Sequence, residues 1–275
     1  MCEFCHKHGE GKKWYLQAKN YADDLLSDIK RRSFVEKFFK YPETIASDVE
    51  KAKQISTLPP AIGAALSKRI TRNQKEMHFG QVIPLEDVRK IFEFVTSIVR
   101  LECICRKTTV GNNQRYCYAV SLLPNGGQMT EIIKSIDPSY LFGPENKDLE
   151  VLSKEDTLKL FEEYEKQGMC HTVWTFGTPF ISGLCNCNAP DCHAMRMTLG
   201  NKIPTMFKAE YMAAIDKDAC TGCKSCMKVC QFDALIFDNT ARKMSINETN
   251  CYGCGICRSV CKKNAIKLKE TNQTI

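Results

Sequence analysis

One cysteine pattern occurs twice near the C-terminus: Cys220, Cys223, Cys226 and Cys230, then Cys251, Cys254, Cys257 and Cys261. Each copy reads C-x2-C-x2-C-x3-C, a spacing that wraps three thiolates around one iron–sulfur cube and sends the fourth to a second cube. The duplication predicts two clusters held close together, and with them a path for electrons. The match runs past the cysteines: Gly222 and Gly253 precede the second ligand of each copy, and Ala234-Leu235 and Ala265-Ile266 follow the fourth. A glycine there lets the backbone turn tightly, so that amides can point at sulfur. Ile215, Leu235–Phe237, Met244–Ile246 and Ile266–Leu268 are short apolar segments that read as strands framing two brief helices. A zinc ribbon is the poorer reading, because it needs two CxxC pairs and each copy here has four cysteines.

Seventeen cysteines in 275 residues would suggest disulfides in a small secreted chain. This chain is larger, and Met1-Cys2-Glu3-Phe4-Cys5 shows no cationic and apolar export signal. Metal-bound thiolates in a reducing cytoplasm are the expectation, with no membrane span. The formal charge of +7 overstates the basic balance, since each four-thiolate cube carries about −2. Acidic residues are evenly mixed with the basic ones through the first hundred positions, which argues against a nucleic-acid stripe. Lys262, Lys263, Lys267 and Lys269 cluster beside the last cysteine, either as a solvated face or as a docking patch for an acidic redox partner.

The pattern along the chain is α+β in three parts. Residues 1–100 are mainly helical: apolar residues at 3- and 4-residue steps predict a helix over 14–40, Pro42 opens a second to about Gln54, Ala61–Asn73 a third, and Pro84 a fourth. Residues 101–210 form a cysteine-rich α+β region. There Cys103-Ile104-Cys105 and Arg115–Leu123 read as strands, Ser153 caps a helix ending at Gly168, His171–Phe176 is a strand, and Gly183–Arg196 is a loop. Residues 211–275 are the duplicated module.

The middle region holds Cys103, Cys105 and Cys117 in one group and Cys185, Cys187 and Cys192 in another. A C-x-C pair puts alternate side chains on one face of an extended segment, so the groups can chelate together if the fold joins them. Six cysteines exceed the needs of one cube; a third iron–sulfur cluster on four of them is expected, with zinc as competitor and inert buried thiols as the plain alternative. His171 is a candidate ligand or proton relay, or a strand-end histidine satisfied by a hydrogen bond. Arg106 and Arg196 flank the groups, either to bind an anion or to neutralise cluster charge. Cys2 and Cys5, with His6 or His8, form either a metal site or a reactive terminus; the C-x-x-C-H string there resembles haem attachment, which belongs to exported proteins.

Residues 212–270 resemble bacterial two-cluster ferredoxins. The resemblance implies that Cys220, Cys223, Cys226 and Cys261 hold one [4Fe–4S] cluster, and that Cys251, Cys254, Cys257 and Cys230 hold the other. Gln231 and Lys262 stand where that family usually has proline. Leu101–Arg106, Gly168-Met169-Cys170-His171 and Gly183–Cys187 are similar to a loosely characterised group of anaerobe proteins. These join a helical, cysteine-rich region to such a domain; here Asn188–Asp191 intervenes before Cys192.

These readings leave three functions open: an electron-transfer protein or subunit, a reductase acting at the middle metal site, and a redox-responsive regulator. No Walker loop, G-x-G-x-x-G, nucleophile elbow or radical C-x3-C-x2-C motif is present, so any oxidoreductase activity would rest on metal chemistry.

Overall fold

A computed structural model describes residues 13–111, 114–143 and 148–271; the candidate site at Cys2, Cys5, His6 and His8 lies outside the described residues. The body is a seven-stranded sheet with helices on both faces. Its strands are β1 (Gly80–Val82), β2 (Ser97–Leu101), β3 (Cys117–Ser121), β4 (Val151–Leu152), β5 (Cys170–Thr175), β6 (Ile181–Cys187) and β7 (Met206–Phe207), in the order β4-β2-β3-β6-β5-β1-β7. All neighbours are antiparallel except β1 and β7. The sheet thus takes β1 and nearly all of β2 from the first hundred residues, and the helical and cysteine-rich regions share one architecture.

Alternation along the strands sorts their side chains into two cores. Val99, Leu101, Ala119, Cys170, Trp174 and Cys187 face the core shared with the helices Ile29–Lys40 and Gly127–Ile136. Ile98, Tyr118, Val120, Val173 and Leu184 face the opposite core, closed by the helices Leu85–Phe94 and Lys154–Lys166. The second of these helices begins as expected, with Ser153 Oγ accepting from Asp156 N at 3.0 Å.

Three local expectations are corrected. Residues 14–27 form three short 3-10 turns, Trp14–Leu16, Ala18–Tyr21 and Asp23–Ser27, before the helix Ile29–Lys40 starts. Buried polar anchors override the helical period: Trp14 Nε1 donates to Gln81 Oε1 at 2.6 Å, Tyr15 OH to Asp87 Oδ2 at 2.7 Å, and Asp23 accepts from Ser121 Oγ at 2.8 Å. Leaving such groups unpaired would cost ~1–3 kcal/mol each, which outweighs helix propensity. Second, Cys103-Ile104-Cys105 is not a strand; Cys103 caps the short helix Ile104–Thr109 and Cys105 lies in its first turn. Third, residues 183–196 are not all loop, since β6 continues to Cys187 and a short helix starts at His193.

Among the described residues no helix is long and apolar enough to cross a membrane. The helices Pro42–Ala52 and Pro60–Met77 pack through Val49, Ala52 and Ile70 with Met197 and Ile203 in a small core of their own. His78 ends the second of them: its Nδ1 bonds Thr175 O at 2.6 Å and its ring stacks on Trp174 at 4.7 Å. Burial lowers its pKa from 6.5 to about 4. The unfolded chain then binds the extra proton first, so this contribution is complete above pH 6.5 and fades as pH falls toward 4. Between pH 7.5 and 5 it removes about 2 kcal/mol. Urea midpoints at those two pH values should show the drop, and His78→Gln should flatten it; an equal slope in the variant would place the acid sensitivity elsewhere.

Candidate metal centres

In the C-terminal module, β8 (Tyr211–Ile215) pairs antiparallel with β11 (Ile266–Glu270), and β9 (Leu235–Asp238) with β10 (Lys243–Ile246). The helices Ser225–Val229 and Ile256–Ser259 follow the two cysteine loops. Each loop turns on its glycine. Gly222 has φ +67°, and an added Cβ would sit 2.2 Å from Arg242 O; Gly253 has φ +68°, with Tyr211 O at 2.0 Å. No larger residue fits either place. Backbone amides reach two of the sulfurs: Met244 N to Cys220 Sγ at 3.5 Å, and Ala234 N to Cys230 Sγ at 3.4 Å.

Cys220, Cys223 and Cys226 line a cavity of about 280 Å³ together with Cys261, Lys262 and Lys263. Burial raises the Cys226 thiol to about 11, with Cys223, Cys261 and Cys220 adding repulsion. Burial likewise raises Cys257 to about 12, with further repulsion from Cys251 and Cys230. The chemistry is that of two four-thiolate sets, and the residues fit the cofactor. Residues 213–268 match the family model described as a 4Fe-4S dicluster domain. This region is a ferredoxin-like dicluster domain. No curated protein matches the chain.

The dicluster domain is fastened to the body rather than hung from it. Arg258, beside Cys257, makes a two-pronged ion pair with Glu86 (2.5 and 2.8 Å), and Tyr211 OH donates to Asp87 Oδ1 at 3.0 Å. Gln231 replaces the usual proline for a visible reason. Its Nε2 donates to Gly168 O at 2.7 Å, and its Oε1 accepts from Ala189 N at 2.9 Å. One side chain therefore ties the loop after Cys230 to the start of the Cys170 strand and to the loop between Cys187 and Cys192. Phe232 stacks on Tyr252 at 4.1 Å and is buried in the sheet's first core, against which Cys230 and Cys254 also pack. Cys223, by contrast, is exposed.

The six middle cysteines meet on that same core face. In the sheet register, Cys117 is opposite Cys185 and Cys170 is opposite Cys187. Cys185 Sγ donates to Cys117 Sγ at 3.3 Å. Cys103, Cys105, Cys187 and Cys192 line one cavity with this pair, and neighbours in the order Cys117, Cys103, Cys105, Cys192 and Cys187 shift one another's protonation. The C-x-C pairs, far apart in sequence, thus form one continuous chain of thiols. The neighbouring thiols of Cys105 and Cys117 hold Cys103 well below the usual thiol range; those of Cys105 and Cys187 do the same for Cys192. Cys105, Cys117 and Cys187 are raised. Six thiols gathered on one cavity suit metal uptake, because thiolates are the ligands. Among the described residues no three Cys, His, Asp or Glu side chains close around a single ion; this is equally true of the dicluster cysteines.

The other candidates separate. His171 lies on the opposite sheet face, in the core of Val173: its ring stacks on Phe161 at 4.9 Å, Nδ1 bonds Asn186 Oδ1 at 2.6 Å, and Nε2 faces Glu165 Oε1 at 3.6 Å. Strand alternation from Cys170 puts it there, so it does not join the thiols. Arg106 is buried beside Cys103 Sγ at 3.6 Å, with Asn188 Oδ1 at 2.6 Å and Asp191 at 3.3 Å. It holds the inserted 188–191 loop against the thiols and has no free donor face for an anion. Arg196 turns away to pair with Glu50. Sequence reasoning missed two residues. Cys170 is fully buried in the thiol core, and its signal was the strand alternation shared with Thr172 and Trp174. His193 is buried next to Cys192 and bonds Thr108 Oγ1 at 2.7 Å.

Proposed function

We propose that this chain is an iron–sulfur electron-transfer protein or subunit, exchanging single electrons between a partner at the outer end of its dicluster domain and the six-thiol site in its body. The observation that carries the reading is the unequal depth of the two thiolate sets. Cys223 is exposed, whereas Cys230 and Cys254 pack on the core that contains Cys170, Cys187 and Cys192. Cys220, Cys223, Cys226 and Cys261 would hold the outer [4Fe–4S] cluster, and Cys251, Cys254, Cys257 and Cys230 the inner one. Bound there, the clusters supply one-electron storage at potentials set by hydrogen bonding and exposure.

The protein's own groups do the rest. The Phe232–Tyr252 stack and buried Cys170 exclude water between the inner set and the middle thiols. Gln231 and Arg258 hold the two parts in one relation. Lys262 and Lys263, beside the outer set, suit an acidic redox partner. Among the middle cysteines, four would hold a third cluster, or a zinc ion in the competing case; the length of the thiol chain favours a cluster. A reducing cytoplasm is the compartment in which so many thiolates persist.

A reductase is the second reading, favoured by a cavity that abuts the middle thiols. Anaerobic iron and sulfide analysis with electron paramagnetic resonance tests the assignment. About twelve iron per chain is expected; about eight with one zinc would make the middle site structural, and fewer than eight would remove the dicluster reading.

A further inference from the structure

The six thiols form only part of the lining of a cavity of about 420 Å³. Another part is aromatic: Phe34 and Phe38 from the helix Ile29–Lys40, His78, and Trp174 and Phe176 from the sheet side. These rings touch one another, with Phe38 4.7 Å from His78 and 5.3 Å from Phe176, and His78 5.0 Å from Phe176. The two sets meet where Trp174 Nε1 donates to Thr172 Oγ1 at 2.8 Å, with Cys187 Sγ 3.5 Å from the same hydroxyl. Asp48, Asn73 and Met77 also line the space and are exposed, so it opens between the helices Pro42–Ala52 and Pro60–Met77. The N-terminal helices therefore put a shaped, aromatic roof over the thiols. A cluster on the thiols would take up the thiol end of this space, as one would at the outer set's cavity of about 280 Å³; the aromatic end, under Phe34, Phe38, His78, Trp174 and Phe176, is the part a small molecule would use.

Charge narrows the occupant. Asp48 and Glu102 are the acidic groups of the lining, and the thiols become anionic on binding metal. Among the described residues the one lining cation, Arg106, is engaged by Asn188, Asp191 and Cys103. Of the two lining histidines, His78 engages Thr175 O through Nδ1 at 2.6 Å and His193 engages Thr108 Oγ1 through Nε2 at 2.7 Å. No described residue of the lining offers a free positive charge to an anion, and flat rings offer stacking.

We infer that this cavity binds a neutral, planar, largely apolar small molecule against the middle thiols. The inference deepens the reductase reading by naming the class of molecule that site would act on, and its binding arm holds whichever metal the thiols carry. The test uses the full chain purified anaerobically and indole as probe, by calorimetry, with metal content measured on the same samples. One indole per chain is expected. Phe38→Trp, which fills the space, and Met77→Trp, which narrows the exposed rim without touching the core, should each weaken binding at least about tenfold while iron content is unchanged. Indole-3-carboxylate should bind at least about tenfold more weakly than indole. No binding to the wild type, or equal binding to both variants, overturns the site; equal binding of the carboxylate overturns the neutral class. Eight iron with indole bound would retire the third cluster and leave this site standing, and twelve iron without indole would do the reverse.

Discussion

Gly253→Ala is expected to cost the inner cluster and more than about 3 kcal/mol of stability. The left-handed φ of +68° would destabilise alanine by ~1–2 kcal/mol on its own. Steric contact costs more, since the new Cβ would meet the backbone oxygen of Tyr211 at 2.0 Å. That oxygen belongs to β8, which is held on one side by five register pairs with β11 and on the other by the Tyr211–Asp87 bond. The loop carrying Cys251 and Cys254 has to give way instead. Anaerobic iron analysis should show a loss of about four iron per chain, and denaturation midpoints should fall. Two controls separate the causes. Gly111 has a similar φ of +67° but open space, so alanine there should cost only the backbone part. Gly200 has neither strain nor a neighbour within 4 Å, and alanine should be within ~0.5 kcal/mol of wild type. A Gly253→Ala protein with full iron content would mean that the loop is softer than its packing implies.

The second large effect belongs to the middle thiols. Cys187→Ala combined with Cys192→Ala removes one end of the six-thiol chain, including one of its two most acidic members. The expected result is loss of about four iron per chain with the dicluster resonance signals retained, because neither cysteine belongs to the two repeated motifs and the outer set lies in its own core. Cys170→Ala is the informative partner: Cys170 is as buried as the others and stands opposite Cys187 in the sheet, yet lies outside the chain of thiols. It should leave the iron count unchanged. If the double variant keeps all its iron, or Cys170→Ala loses iron, the thiol chain is not the ligand set proposed above.

Much of the fold was legible because its signals are local. The patterns of Arg115–Leu123 and His171–Phe176 predicted strands, which the fold places at Cys117–Ser121 and Cys170–Thr175; the Ser153 cap predicted a helix start, and the glycines of the duplicated motif predicted their turns. The failures share one cause. Residues 14–27 have helical periodicity, but Trp14, Tyr15 and Asp23 are held by groups far along the chain, at Gln81, Asp87 and Ser121, and a local pattern contains no record of such partners. Cys103-Ile104-Cys105 has strand-like alternation but sits just after β2, where Cys103 N donates to Gln114 O at 2.8 Å and turns the chain into a helix. His171 was a fair candidate by type; its place on the back face follows from a register that only the folded sheet supplies.

The same division applies to the sites. The sequence by itself determined that two clusters' worth of thiolates stand close together, because cube binding needs only short, repeated spacing and a glycine at each turn. It also determined that six further cysteines come as two groups. That these groups meet was decided by the antiparallel pairing of β3 with β6 and by Arg106 drawing the 188–191 loop inward, since convergence of distant segments costs chain entropy that only a packed core can offset. Tertiary structure alone decided which set of motif cysteines faces inward, through Gln231 and Arg258, and that an aromatic roof covers the middle thiols.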